Sequence, residues 1–117
     1  MMDTREVALA FTALLREAGG MGAGEAFRHE DVSSIEAAGE PRAVHGVEPV
    51  RGKAGWRLAQ HEVHALEVQG PYVNEDQFAL HLRVDVTVKA TGRRMAARRS
   101  ALHSVQDGKA LEERFFY

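Results

Sequence analysis

The stretch "HEVH" at residues 61–64 pairs two imidazoles around a carboxylate, a combination used for zinc binding and for proton transfer. A helical zinc site needs histidines four apart, with a glutamate next to the first, so that both rings leave one face. Here the spacing is three. The surrounding "HEVHALEVQGPYV" alternates with a strand period rather than a helical one, so this pair is not expected to hold a metal. On a strand, His64 shares parity with Leu66 and Val68. That parity directs it to the apolar face, where an imidazole can serve as general acid or base near neutral pH.

Glu113 is the second candidate for proton transfer. It has the parity of Leu111 and Phe115 in the final extended run, which sets a carboxylate among apolar side chains. Trp56, the only tryptophan, falls off the stripe set by Val50, Ala54 and Leu58 and is expected to line the mouth of a pocket. Tyr72 follows Gly70-Pro71 and could donate a hydrogen bond to a developing oxyanion. Asp85 has the parity of His81 and Arg83, opposite Leu82. A polar stripe of that kind faces solvent or a second copy of the chain. The cluster Arg93, Arg94, Arg98 and Arg99 could attract an anion or form a solvated hairpin.

The bulk properties narrow the classes. A chain of 117 residues suits a single domain. A formal charge of −2 argues against nucleic-acid binding, which requires a basic excess. Cysteine is absent, so disulfides, thiolate metal sites and cysteine nucleophiles are excluded. The opening "MMDTREVALAFTALLREAGG" carries charges through its apolar positions, unlike a secretion signal, and no apolar run approaches the roughly 20 residues of a membrane span. A cytoplasmic protein without a membrane partner is the expectation. No phosphate loop or serine elbow is present to suggest other chemistry.

The elements that must position these residues read clearly at both ends. Asp3 and Glu6 have the spacing of a capping box, and Val7, Phe11, Leu14, Leu15 and Ala18 form one helical stripe before Gly19-Gly20 stops it. "GAGEAFRHE" suggests a shorter helix, and "DVSSIEAAGEPRAVHG" two short strands or a strand and a loop. Another helix begins near Pro49, with Val47, Val50, Ala54 and Leu58 on its buried side. Beyond residue 60, turn signals at Asn74-Glu75-Asp76, Thr91-Gly92 and Asp107-Gly108 cut the chain into four extended runs. Phe78, Leu80, Leu82, Val84, Val86 and Val88 alternate on one face of the second. A meander of such long strands curls, and the helices fill its concavity.

"TREVALAFTALLREAG", "HEVHALEVQGPYVNEDQFALHLRVDVTVKATGRR" and "VQDGKALEERFFY" together resemble SnoaL-like proteins of the nuclear-transport-factor-2-like (NTF2-like) superfamily over nearly the whole chain. The resemblance implies an α+β cone: N-terminal helices packed in the concavity of a curved, mainly antiparallel sheet, with a pocket open at one end. It implies a small-molecule-binding domain for residues 1–117, homodimeric and without cofactor. Such a domain acts on a hydrophobic substrate by isomerase, cyclase or dehydratase chemistry, or else only binds a ligand or dimerises. Where similar chains carry acidic and apolar residues in the third long strand, this one reads "AARRSALH". Arg99 and His103 thereby join Trp56 and Tyr72 as pocket candidates, although the sequence does not separate the two faces of residues 93–105. His64 and Glu113 remain the expected acid/base residues.

Overall fold

The computed structural model describes residues 1–18 and 21–117. Three helices, α1 (Thr4–Ala18), α2 (Met21–Phe27) and α3 (Val47–Gln60), accompany six strands. The strands are β1 (Arg28–Ile35), β2 (Ala43–His45), β3 (His61–Asn74), β4 (Gln77–Val88), β5 (Arg93–Gln106) and β6 (Lys109–Phe116). They form one sheet in the order β2-β1-β6-β5-β4-β3, antiparallel throughout except where β1 lies parallel to β6. The expected meander is therefore β3 to β6, and the "DVSSIEAAGEPRAVHG" region supplies β1 and β2 on its far side.

Local chemistry accounts for the boundaries. The Glu6 amide donates to Asp3 Oδ1 at 2.8 Å and the Asp3 amide to Glu6 Oε1 at 3.4 Å, a reciprocal cap that satisfies donors left open at the start of α1. The expected stop at Gly19-Gly20 lies outside the described residues. Asp107 and Gly108 both have positive φ, 54° and 73°, as a two-residue hairpin of matching twist requires.

Val7, Phe11 and Leu15 of α1 pack on Phe78, Leu80 and Leu82 of β4, and this contact is the centre of the core. Phe78 and Val7 are fully buried, each contributing about 1.5–3 kcal/mol of transfer free energy. On α3 only Val50 is fully buried. The helix packs on β1 and runs directly into β3, so it crosses from one side of the curled sheet to the other. That bridge leaves a cavity between helix and sheet.

Two irregularities in β3 decide which of its side chains face the cavity. Val63 pairs with Val86, yet Ala65 pairs with Asp85, so His64 is an extra residue opposite a continuous partner. His61 and Val63 face inward ahead of this bulge, and Leu66 and Val68 face inward after it. His64 is thereby turned to the outer face, where it is exposed and its Nε2 lies 2.7 Å from Thr87 Oγ1. The expectation that it points into the concavity is corrected: simple alternation fails across a bulge. A second shift separates Gln69↔His81 from Tyr72↔Ala79. Gly70 sits there at φ 114°, where an added Cβ would meet the Ala79 carbonyl oxygen at 3.0 Å. Arg16 of α1 donates to the Val68 carbonyl at 2.9 Å, anchoring the irregular segment. Tyr72 emerges on the outer face, 61% exposed. Its expected place in the pocket is corrected for the same reason.

Candidate functional site

A cavity of about 480 Å³ lies between the concave face of the sheet and the helices α1 and α3. This volume falls in the range of small-molecule sites. Alternation of β4 supplies one apolar wall through Leu82, Val84 and Val86, extended by Leu66 of β3. Trp56, Val63 and Met95 line the cavity and are also exposed, marking its mouth. Phe11, Leu80 and His103 are buried at the opposite end and form the floor.

The floor carries a titratable pair. His103 on β5 lies opposite Glu113 on β6, and opposite Phe78 on β4. Its ring stacks on Phe78 with centroids 4.7 Å apart and leans on Phe11 at 4.8 Å. The imidazole is 3% exposed, and its buried Nδ1 has no hydrogen-bond partner among the described residues. Burial lowers its pKa to about 4, with the Glu113 charge acting in the opposite direction. His103 is therefore neutral at pH 7 and keeps one N–H and one lone pair. Glu113 lines the cavity, half-buried, and forms no ion pair with Arg98 or Arg99.

The wall formed by β1, β6 and α3 is charged. Val32, Ser34 and Glu36 alternate inward, and Glu36 is only 5% exposed. Its Oε1 accepts from Lys53 at 3.0 Å and from Arg57 at 2.8 Å, while its Oε2 accepts from the Tyr117 hydroxyl at 3.0 Å. Burial alone would raise the Glu36 pKa. The hydrogen bond from Lys53 and the charges of Arg57 and Lys53 outweigh it and hold the carboxyl below its ordinary value. Lys53 also donates to the buried Ser34 hydroxyl at 2.6 Å. Arg99 projects from β5 into this wall with its guanidinium carbon 5.2 Å from the Phe115 ring centroid and 4.8 Å from that of Tyr117.

Of the residues singled out in the sequence, Trp56, Arg99, His103 and Glu113 line the cavity, whereas His64 and Tyr72 do not. The arginine cluster divides: Arg99 faces in, while Arg94 lies outside and grips Asp85 through two hydrogen bonds of 3.1 and 2.8 Å. His61, which lines the cavity, and His64 occupy opposite faces of β3 and do not converge on one point. Glu36, Lys53 and Arg57 were not anticipated. Lys53 and Arg57 stand four apart on the same helical face as Val50 and Ala54, and Glu36 continues the parity of Val32. Those spacings were the available signal.

Comparison with known proteins agrees with this geometry. Residues 2–117 match the model of the SnoaL-like domain. A crystal structure from Mesorhizobium loti, described as a candidate SnoaL-like polyketide cyclase and also as a carbohydrate phosphatase, is 45% identical; the match covers 99% of this chain and 100% of that one, with a TM-score of 0.94. A candidate isomerase from Bacillus subtilis shares the fold at 17% identity over 97% and 88% of the two chains, TM-score 0.81. A protein of ketosteroid isomerase-like fold from Catenulispora acidiphila, in complex with trimethylamine, does so at 16% identity over 97% and 86%, TM-score 0.77. No curated protein matches the chain. Family match and fold agree: with its NTF2-like α+β cone, the chain belongs to the SnoaL-like domain family.

Proposed function

We propose that the cavity binds a small hydrophobic molecule and moves a proton on it, with Glu113 as the group that takes and returns the proton. The observation that carries this reading is the cross-strand pair Glu113–His103 at the floor of a cavity whose other side is apolar. A carboxylate can remove a proton next to a carbonyl, and negative charge then develops on the carbonyl oxygen. A neutral imidazole beside the base is suited to donate a hydrogen bond to that oxygen, because it does so without first surrendering a charge. The resemblance to cyclases and isomerases supports the reaction class, and the lack of an acidic residue in "AARRSALH" on β5 directs attention to the neighbouring strand.

The test is deuterium wash-in. A panel of fused-ring ketones is screened by thermal shift, since a ligand specific for the native state raises apparent stability. Ketones that bind are then incubated in D₂O and followed by proton NMR. Wild type is expected to exchange the proton next to the carbonyl, and Glu113→Gln to bind equally but exchange at least a hundredfold more slowly. Binding without exchange in wild type would instead establish the alternative function, a ligand-binding module without catalysis.

A further inference from the structure

We propose that Arg99 is a carboxylate anchor, so that the ligand of this cavity is an amphipathic acid rather than a neutral hydrocarbon-like molecule. The proposal rests on the reading of the cavity as a small-molecule site and names the chemical class that site takes. The cavity is two-sided in cross-section. Leu66, Leu82, Val84 and Val86 form an apolar wall, and facing it stand Lys53, Arg57 and Arg99 around a single carboxylate, Glu36. Glu36 is already engaged at both oxygens, by Lys53 and Arg57 at one and by Tyr117 at the other.

Arg99 has no carboxylate and no side-chain hydrogen-bond partner among the described residues. It is nevertheless half-buried and held in place, its guanidinium lying over both Phe115 and Tyr117. A charge removed from water without a partner is costly, and the cost falls when an anion enters. Contact with the two rings restrains the guanidinium, which can offer two parallel N–H donors to a carboxylate. The inward neighbours of Arg99 on β5 are Ala97 and Ala101, which leave space in front of it. Burial and the like charge of Arg57 lower its pKa and outweigh the opposing effects of Glu36 and Tyr117. From Arg99 to His103 is four residues, roughly 13 Å of strand, so an acid of about that length would reach the Glu113–His103 pair with its other end.

The experiment compares 1-naphthaleneacetate with its neutral isostere 1-naphthaleneacetamide by titration calorimetry at pH 7. Wild type is expected to bind the acid at least tenfold more tightly than the amide, and Arg99→Met to bind the two alike. Equal binding of acid and amide by wild type, or a preference that survives in Arg99→Met, overturns the anchor and leaves the cavity reading standing. Failure of both probes to bind wild type overturns the cavity reading and the anchor with it. Should Arg99→Met not fold, the Arg99 Nε–H resonance of wild type decides. Movement with the acid and not with the amide supports the anchor, and no movement with either overturns it.

Discussion

His103 faces Glu113 directly across the β5–β6 ladder, the one a neutral ring buried at the cavity floor, the other a carboxylate open to the cavity. The pairing gives the domain an acid-sensitive point in its core. In the unfolded chain a histidine takes up a proton near pH 6.5, whereas in the folded chain His103 resists protonation until about pH 4. Between those values the unfolded state binds more protons, so stability is full above pH 6.5 and declines as pH falls toward 4. The loss is on the order of 3 kcal/mol.

His103→Phe should remove that slope. A phenyl ring can keep the stack on Phe78 while eliminating a buried nitrogen without a partner, so stability at pH 7 is expected to rise by about 1 kcal/mol. The gap over wild type should widen as pH is lowered to 4. Urea titrations at pH 7, 5.5 and 4.5 measure it, and parallel pH dependences for the two proteins would contradict the assignment.

Glu36→Gln should destabilise the fold by about 2 kcal/mol, because Lys53 and Arg57 would lose the only carboxylate they share. The figure lies below that for a fully buried pair because Arg57 retains considerable solvent contact. A depressed carboxyl pKa contributes stability that is present above the unfolded value near 4.5 and lost as pH falls through the folded one. Wild type and variant should therefore converge in stability at strongly acidic pH.

His64→Ala is expected to leave both ligand binding and melting nearly unchanged, within about 0.5 kcal/mol of stability. Its ring is on the outer face with Thr87 as its partner. Loss of ketone exchange or of naphthaleneacetate affinity in this variant would contradict the inward-outward assignment made from the bulge.

A symmetric homodimer is expected through the outer face of the sheet, where Ala65, Glu67, Arg83 and Ala96 surround the Asp85–Arg94 pair and Phe116, further along on β6, is half exposed. Light scattering should give a mass near twice the 12.9 kDa of the chain. Asp85→Lys, which sets like charges together beside Arg94, should shift the protein toward monomer. A wild-type monomer at micromolar concentration would sink the idea.

Much of the architecture was legible because it is written locally. The alternation from Phe78 to Val88, the Asp107-Gly108 turn and the Asp3/Glu6 cap each depend on residues within a few positions of one another. The site was legible in part. Glu113 shares the inward face of Phe115 because the extra residue of β6, Leu111, lies ahead of both, whereas in β3 single extra residues fall between the apolar inward positions and His64 or Tyr72, and alternation does not reveal them. Glu36 escaped notice for another reason: its partners stand 17 and 21 positions away on α3, and only the packing of that helix over β1 brings them together.

The bulge at His64 also separates two tasks along one strand. Before it, His61 and Val63 shape the entrance; after it, Leu66 shapes the interior. Because Val63 and Ala65 already pair with successive residues of β4, a one-residue deletion at position 64 would restore plain alternation and leave Val63 inward and Glu62 outward. Entrance and interior would both keep their surfaces. The strand thus absorbs an indel at this point, and what the cavity admits is re-tuned by substitution at His61 or Val63 instead.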